Sequence, residues 1–460
     1  MSGHSVVPLR DLILESQNGL SKRSGADGVE TPVLRLADIK AGAIDESDPR
    51  EIRLTEKELA KYALQHGDLV CIRVNGSKAL VGRVIQFRAN RVWAYCDHFI
   101  RLRPNQALVD HRYLAHYFNS QTVRRHIELN MVSSAGQNTV SQGTMLDIPV
   151  PCPGLETQRE IVAELEKQFS RLDEAVANLQ RVKANLKRYK AAVLKAAVEG
   201  RLVETEATLA RREGRTYETG EQLLQRILEE RRAKWAGRGK WKAPEPPTTD
   251  ATLPDGWTWA SVDQLADVGT GATPKRDRAA YWDDGDVPWV TSSVVNGDYV
   301  DQASEFVTKL ALAETNLTLY PIGTLLIAMY GEGKTRGKCT ELRIPASTNQ
   351  ALAALQVDSS IRGYLRHFLE LNYEEMRKFA SGGVQPNLNL GLVRAVCVPL
   401  PPLAEQARIV AEVDRHLSIL REVETEVDAN LQRAQALRQS VLQRAFSTGS
   451  PNADDLQPPR

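Results

Sequence analysis

A phosphate-binding loop is the first chemistry that the residue types suggest. Residues 328–335 read AMYGEGKT, with Ala in place of the first Gly of such a loop, and they follow the apolar run 325–327. A phosphate loop works by directing backbone N–H groups and the dipole of a following helix at the anion. Residues 336–340 read RGKCT, which is not typical of a helix start. A P-loop-like nucleotide-hydrolysing enzyme with a coiled-coil arm is therefore an alternative interpretation and not the favoured one.

Other signatures of catalysis or metal binding are absent from the sequence. There is no Asn-Pro-Pro-Tyr or Asp-Pro-Pro-Tyr segment of an adenine methyltransferase, and there is no His-x-x-x-His spacing. The acidic run 283–286 is more typical of turn and cap residues than of a nuclease. The cysteines stand far apart, which predicts reduced thiols and no zinc site: Cys71, Cys96, Cys152, Cys339 and Cys397. We expect no catalytic centre and no metal.

The composition is that of a soluble globular protein, with 25% charged and 6% aromatic residues. A length of 460 residues suggests about three domains. The net charge is +1, so any anion-binding surface must be local. No apolar run approaches the ~18 residues of a membrane span, and the first 12 residues lack the features of a signal peptide. We expect a cytoplasmic protein that binds no membrane.

A long helix from Leu155 to about Gly200 dominates the organisation of the chain. The stretch contains no Gly or Pro between these limits, and its apolar residues recur at alternating spacings of three and four. A helix of some 40 residues would be ~60 Å long, and one apolar seam on such a rod requires a partner helix. The first part of this seam is formed by Val162, Leu165, Phe169 and Leu172.

The partner helix is predicted in the same chain, from Leu403 onwards. An offset of 248 residues aligns Pro153 with Pro401 and Gln158 with Gln406, without a gap. Chance similarity between coiled coils would match apolar positions but not this proline-rich lead-in or the glutamine. The sequence therefore indicates an internal duplication. The second seam is formed by Val410, Val413, Leu417 and Leu420.

The segments before the two helices share landmarks in the same order. Each contains a short strand after a glycine turn, at 70–74 in the first half, and a helix that opens with Tyr-Leu-x-His. In the first half we expect a second strand at 80–85, one helix from Tyr113 through Ile127, and a small polar loop at 133–138. The predicted plan is a globular domain and a long helix, repeated once.

The sequence resembles the specificity subunits of type I restriction-modification enzymes over nearly its whole length. The resemblance rests on two Pro-x-Leu-x-x-Gln-x-x-Ile-Val-x-Glu lead-ins at Pro153 and Pro401, on Leu-Pro-x-Gly-Trp at Leu253, and on a helix at Leu223. It implies an α+β fold, in which two duplicated α/β target recognition domains are joined by two long antiparallel coiled-coil helices. The expected segments are recognition domain 1 (1–153), spacer helix 1 (154–200), an amphipathic helix with a basic, proline-rich linker (201–250), recognition domain 2 (251–401), spacer helix 2 (402–447) and a disordered tail (448–460).

The resemblance also implies a function and partners. Each recognition domain would read one half of a split double-stranded DNA sequence, and the helices would bind two methyltransferase subunits. Catalysis, with S-adenosylmethionine, ATP and Mg²⁺, is expected on partner subunits in a prokaryotic cytoplasm, and the chain itself is expected to hold no cofactor and to be no enzyme. The sequence leaves open whether a restriction/translocase subunit is also a partner.

Both globular halves carry donors that suit DNA. Lys and Arg contact phosphates, whereas Arg, Asn and Gln can pair with base edges. In the first half the candidates are Lys22, Arg23, Arg73, Asn75, Lys78, Gln137 and Asn138. In the second half they are Lys275, Arg276, Arg278, Lys334, Arg336, Lys338, Gln385 and Asn387. For any one of these side chains a solvated surface role is the competing interpretation.

Overall fold

The computed structural model describes residues 5–40, 42–88, 91–235, 241–249, 251–330, 335–379 and 387–447, with side chains to residue 377 in the sixth of these segments. The described residues form two compact units. The first unit lies within Met1–Arg181 and Glu426–Arg460, and the second is Val182–Thr425. The predicted tail at 448–460 lies outside the described residues.

The first unit is built from short strands and helices that precede a long helix. Its strands are β1 (Val6–Pro8), β2 (Ile13–Asn18), β3 (Val29–Leu34), β4 (Ile39–Lys40), β5 (Ala43–Ile44), β6 (Glu51–Leu54), β7 (Leu69–Ile72), β8 (Val74–Asn75), β9 (Val84–Gln86), β10 (Ala94–Tyr95), β11 (Phe99–Pro104), β12 (Val132–Ser134), β13 (Gln137–Thr139) and β14 (Pro149–Pro151). Its helices are α1 (Glu56–Tyr62), α2 (His111–Tyr117), α3 (Gln121–Asn130), α4 (Gln142–Leu146) and the first part of α5 (Leu155–Val198), with 3-10 turns at Leu9–Leu12 and Leu36–Asp38.

The second unit follows the same plan. Its strands are β15 (Thr258–Ser261), β16 (Ala266–Thr270), β17 (Val287–Val290), β18 (Tyr299–Val300), β19 (Glu305–Val307), β20 (Leu325–Ala328), β21 (Cys339–Leu342), β22 (Ser347–Thr348), β23 (Leu352–Val357) and β24 (Cys397–Leu400). Its helices are α6 (Glu206–Glu213), α7 (Gly220–Ala233), α8 (Val262–Leu265), α9 (Lys309–Glu314), α10 (Ser359–Leu371), α11 (Tyr373–Phe379), α12 (Leu390–Arg394) and the first part of α13 (Leu403–Ala445), with 3-10 turns at Ala279–Tyr281 and Ser292–Asn296.

The sheets of the two units repeat one strand order. The main sheet of the first unit runs β2-β11-β7-β9, and that of the second runs β16-β23-β20-β21 with β18 added at the edge. A smaller sheet runs β10-β3-β6 in one unit and β22-β17-β19 in the other, with one parallel pair in each. The strand before each long helix pairs with the first strand of its domain, β1 with β14 and β15 with β24. The predicted duplication is confirmed.

The long helices α5 and α13 pair in antiparallel order. In the first unit the start of α5 shares a core with the end of α13, and Asp173 pairs with Arg438 at 2.6 Å. In the second unit the end of α5 shares a core with the start of α13, and Tyr189 Oη lies 3.0 Å from His416 Nδ1. Contacts that advance along α5 therefore move back along α13, as predicted.

Most of the predicted seam is buried in the cores of the two units. In the first unit, Leu165 and Phe169 share a core with residues of the globular domain and of α13. In the second unit, Val413 and Leu417 share a core with residues of the globular domain and of α5. By contrast, Leu172 is half-buried. The helix pair thus gains its burial partly from the domains that it carries.

The matched Pro and Gln positions have the same structural role in both halves. Gln158 Nε2 donates to the carbonyl of Pro153 at 2.7 Å, and Gln406 Nε2 donates to that of Pro401 at 2.9 Å. Both glutamines are buried, so these bonds satisfy carbonyls at the lead-in that no water can reach. Gln158 Oε1 also accepts from the N–H of Asp110 at 2.8 Å, which fixes α5 to the first domain.

Three local predictions need correction. The helix expected from Tyr113 through Ile127 is two helices, because the chain turns at Asn119 and Ser120 caps α3. The strand expected at 80–85 is only β9, and a turn precedes it. The polar loop expected at 133–138 is the hairpin β12–β13, whose strands pair in register around a two-residue turn.

The described residues of the segment between the two halves, 201–235 and 241–249, pack against the second domain. Leu223 and Ile227 of α7 are buried in its core, and Ser261 Oγ donates to the carbonyl of Glu245 at 2.6 Å. The carboxylate of Glu405 is fully buried, and it accepts from Trp257 Nε1 at 3.0 Å and from the N–H of Glu206 at 2.8 Å. Burial raises the pKa of Glu405, while both of these bonds act in the opposite direction.

A buried histidine joins α10 to α13 in the second unit. His367 Nε2 lies 3.1 Å from the Asp414 carboxylate, and Glu370 beside it pairs with Lys190 at 2.6 Å. Burial lowers the pKa of His367, but the two carboxylates outweigh burial and raise it above its ordinary value. At the matching position of the first domain, burial lowers the pKa of His116.

These opposite pKa shifts predict opposite pH dependences. The stabilisation from His367 should be fully present below pH ~6.5 and should be lost as the pH rises through its raised pKa. His367→Gln should therefore destabilise the full chain more at pH 6 than at pH 8, as measured by urea unfolding. His116→Gln is the matched control, because its contribution is lost as the pH falls. An equal effect of His367→Gln at both pH values would contradict the assignment.

Candidate nucleic-acid interface

Most candidate donors of the first domain lie beside the short strand β8. Arg73 precedes this strand, Asn75 ends it, and Lys78 is exposed in the turn that follows. Gln137 and Asn138 belong to β13, which pairs with β8 through Asn138 and Asn75. The structure therefore brings together five positions from segments that are distant in sequence.

Asn138 holds the hairpin β12–β13 against β8. Its side chain is buried, and Nδ2 donates to the carbonyl of Gly76 at 2.9 Å while Oδ1 accepts from Ser133 Oγ at 2.6 Å. A base contact by this amide would have to break these bonds. The geometry therefore favours a positioning role for Asn138, and a direct contact stays a prediction.

Arg23 and Arg73 meet at Asp97. Arg23 Nη2 lies 2.8 Å from Asp97 Oδ1, and this bond raises the pKa of Arg23. Arg73 Nη1 lies 3.4 Å from the carbonyl of Asp97. Half of the Arg23 side chain remains exposed, so donors on its outer edge are free to meet an acceptor while the carboxylate fixes its orientation.

Lys22 contacts the start of α1, whereas Arg23 and Arg73 contact Asp97. Its ammonium lies 2.9 and 3.0 Å from the two carboxylate oxygens of Glu58. Glu58 also closes the capping box of α1 with Thr55. The backbone bond from Thr55 and the ammonium of Lys22 together lower the pKa of Glu58. Lys22 thus anchors its loop, and a phosphate contact by this side chain stays a prediction.

One tight turn in this region carries three metal-ligand types. Among the described residues, Cys96, Asp97 and His98 form the group whose ligand atoms all lie within 4.8 Å of one another. Asp97 is already paired with Arg23, and Arg73 is adjacent, so the neighbourhood is rich in cations. This charge balance favours an anionic ligand over a metal ion.

The second domain fixes its arginines on aromatic rings. The Arg276 guanidinium lies 3.9 Å from the ring centre of Trp282 and 5.0 Å from that of Trp289, and it pairs with Glu305. Arg278 lies 4.2 Å from the ring centre of Tyr281. Stacking restricts a guanidinium to one plane, which prepares its N–H edge for a planar acceptor.

The remaining candidates of the second domain are less organised. Lys338 Nζ donates to Asn296 Oδ1 at 2.9 Å, whereas Lys275 and Asn387 are exposed and Arg336 is half-buried. Lys334 and Gln385 lie outside the described residues. Contacts to DNA by any of these six stay predictions.

The chain beyond the phosphate-loop pattern forms a strand. From Thr335 it makes a turn and continues as β21, antiparallel to β20, with the N–H of Gly337 donating to the carbonyl of Ala328 at 2.8 Å. A phosphate loop would require a helix here, with its dipole aimed at the anion. The described residues that follow the pattern therefore form a strand in place of the helix that a phosphate loop requires.

Sequence reasoning missed an arginine–tyrosine stack in the second domain. The guanidinium of Arg343 lies 3.5 Å from the ring centre of Tyr299, and that of Arg366 lies 4.3 Å from it. Tyr299 and Arg343 are brought together only by the parallel pairing of β18 with β21. One difference between the repeats points to this stack: the second domain has Arg366 where the matching position of the first domain is Ala115.

A cleft of about 870 Å³ opens in the first unit beside β8. Its lining includes Arg83, Arg124 and Arg438, each of which donates to a carbonyl or pairs with a carboxylate of the same unit. Arg438 also lies 4.4 Å from the ring centre of Phe169. The cleft adds positive charge next to the donors around β8 and can attract phosphates.

The family of this chain follows from a comparison with family models. The model described as the type I restriction modification DNA specificity domain matches residues 2–187 and 254–433. The chain belongs to this family. The domain that defines this family therefore occurs twice in the chain, and each match ends within a long helix.

Individual relatives of this family agree with the assignment. The StySPI specificity subunit of Salmonella potsdam is 40% identical over 163 residues, which is 35% of each protein. The EcoKI specificity subunit of Escherichia coli K12 is 28% identical over 245 residues, or 52% of each. The chain thus matches about a third to a half of the length of these curated relatives.

A solved structure shares the fold. A chain from a structural study of the type I R-M system superposes with a TM-score of 0.66 at 19% identity, covering 97% of this chain and 98% of that one. At 19% identity this match shows the shared fold alone. Among the described helices, none is both long and apolar enough to cross a membrane.

Proposed function

We propose that this chain is the DNA sequence-specificity subunit of a type I restriction-modification complex. It reads a bipartite target, with one globular domain for each half-site, and it docks methyltransferase and restriction subunits through α5 and α13. The chain is not an enzyme and works in a prokaryotic cytoplasm. S-adenosylmethionine, ATP and Mg²⁺ act on the partner subunits.

The duplicated strand order carries this proposal. Two domains of one topology, each followed by a long helix, suit a target whose two half-sites are related by the pseudo-two-fold symmetry of duplex DNA. The domains share their sheets but differ in their surface donors, with Arg23 paired with Asp97 in one and Arg276 stacked on Trp282 in the other. Two domains that read different bases require the same fold but different surface donors.

The helices supply the docking surface for the methyltransferase. In the second unit, Val182, Tyr189, Ile419 and Val423 are 38–48% exposed on α5 and α13. Apolar side chains exposed along a helix pair suit partner helices that complete a bundle. One methyltransferase subunit would dock on this surface, and a second on the helix segments of the first unit.

The low net charge leads to a prediction about affinity. A net charge of +1 gives little electrostatic attraction to DNA, so the chain alone should bind only weakly, with a dissociation constant on the order of 10⁻⁴–10⁻⁶ M at physiological salt. Addition of the methyltransferase should tighten binding and steepen its salt dependence. Mobility-shift titrations at several salt concentrations measure both quantities. Equal affinity and equal salt slope with and without the methyltransferase would contradict a contribution of the methyltransferase to DNA binding.

A filter-binding assay with ATP separates the proposal from the nucleotide-hydrolysing alternative. The purified chain should retain no ATP. Retention that is lost in Lys334→Ala, together with no DNA shift in the presence of methyltransferase, would favour the alternative.

A further inference from the structure

We propose that the hairpin β12–β13 is a ribbon that enters the major groove of one half-site, where Gln137 and Ser134 read the bases. This inference rests on the proposed function and names the side chains of the first domain that specify the sequence.

The hairpin belongs to the three-stranded sheet β12-β13-β8 and extends beyond β8 as a two-stranded tip. Ser133 pairs with Asn138 and Ser134 pairs with Gln137, so the loop consists of Ala135 and Gly136 alone. Both loop residues have positive φ, 48° and 76°, as in the type I′ turn that matches the twist of a hairpin. Positive φ is unfavourable for alanine, so the fold keeps a small residue at the tip despite backbone strain.

The two faces of the ribbon differ in what they contact. Ser133 and Asn138 share one face, on which Ser133 Oγ donates to Asn138 Oδ1 and Asn138 Nδ2 donates to the carbonyl of Gly76, the residue after β8. Ser134 and Gln137 lie on the opposite face, because neighbouring residues of a strand alternate sides. Both are exposed, and within the described part of the chain neither side chain has a hydrogen-bond partner. Val132 shares this outer face and is 67% exposed.

The anchoring on β8 makes the outer face rigid. An isolated two-stranded hairpin is only marginally stable in water, and here the third strand and the buried amide of Asn138 hold it in place. The outer face nevertheless contributes nothing to the core of the unit. A fixed, exposed and uncharged polar surface of this kind is suited to an external ligand.

The chemistry of this face fits base edges better than phosphates. The major groove is about 12 Å wide and admits a two-stranded ribbon. A glutamine side chain can pair bidentately with adenine, a serine can bond to any base, and a valine can contact the methyl group of thymine. The cations that phosphates require are on β8 and its turn, where Lys78 is exposed and Arg73 is adjacent. A docking surface for a protein would be expected to offer aromatic anchors, and Val132 is the single large apolar side chain of the ribbon.

The test uses the full chain in complex with its methyltransferase. Specificity is measured by methylome sequencing and by binding to DNA in which each base pair of the target is varied. Gln137→Ala should reduce discrimination at one base pair of a single half-site by roughly 5- to 150-fold, without change in the salt slope. Ser134→Ala should act at a neighbouring pair. Lys78→Ala should weaken binding to all sequences and lower the salt slope by about 1.

The controls separate the ribbon from the wider proposal. Gln106→Ala changes an exposed glutamine of the same domain that lies outside the ribbon, and it should leave the target unchanged. If Gln137→Ala and Ser134→Ala both leave the target unchanged while the wild-type complex is sequence-specific, the ribbon inference is wrong and the proposed function stands. If these variants instead lose the methyltransferase without any change in the bases read, the ribbon binds protein and the inference is also wrong. A wild-type complex without sequence preference would overturn both.

Discussion

Insertion of four residues into each long helix is expected to lengthen the DNA target. The unspecified base pairs between the two half-sites should increase by about two, and the sequences of both half-sites should stay unchanged. Each helical residue adds 1.5 Å, so four add ~6 Å, and a base pair spans ~3.4 Å. The insertions belong after Val176 in α5 and after Ala434 in α13. These sites face each other, because Asp173 pairs with Arg438 in the antiparallel arrangement.

The rotation of the helix supplies a matched control. Four residues turn a helix by about 400°, which returns later seam positions to within ~40° of their original direction. Two residues turn it by about 200°, which points the seam away from its partner. The two-residue insertions should therefore abolish specific methylation. Methylome sequencing gives the spacer length in both cases, and a four-residue variant that reads different bases would show that the helices do more than hold the domains apart.

Arg23 and Arg276 are expected to affect opposite halves of the target. Each is the arginine of a Lys-Arg pair shortly after a glycine, Gly19 or Gly271, and each is fixed by a carboxylate, Asp97 or Glu305. Replacement of either arginine by alanine should cost roughly 1–3 kcal/mol for each lost base contact. Because each arginine belongs to a different compact unit, the loss should be confined to one half-site.

The effect of each arginine must be distinguished from damage to its domain. Lys22 and Lys275 are the neighbouring cations, and Lys22 is engaged with Glu58 in the first domain. Lys22→Ala should therefore lower the stability of its domain without changing the bases read. A change of sequence preference in Arg23→Ala, at unchanged stability, identifies a contact with DNA.

The sequence was sufficient to predict the regular features of the fold. The helix expected from Leu155 to about Gly200 is α5, and the offset of 248 residues correctly paired Gln158 with Gln406. These predictions succeeded because helical periodicity and an ungapped repeat are local properties of the chain. The break before Ser120 was missed because a capping serine within an amphipathic stretch gives only a weak signal.

The candidate site was predictable only in outline. That Arg73, Asn75 and Asn138 meet depends on pairing between β8 and β13, which no local pattern encodes. The engagement of Lys22 by Glu58 and the burial of Asn138 depend equally on distant partners. Residue type could suggest donors for DNA, but tertiary contacts decide which of them remain available.

Methylome sequencing of three complexes tests whether each domain reads one half-site: wild type, Arg23→Ala and Arg276→Ala, each with the methyltransferase. We expect a bipartite target for the wild type, relaxation of one half-site in Arg23→Ala, and relaxation of the other half-site in Arg276→Ala. Relaxation of both half-sites by either single substitution, or a continuous target in the wild type, would contradict the assignment of one reader to each domain.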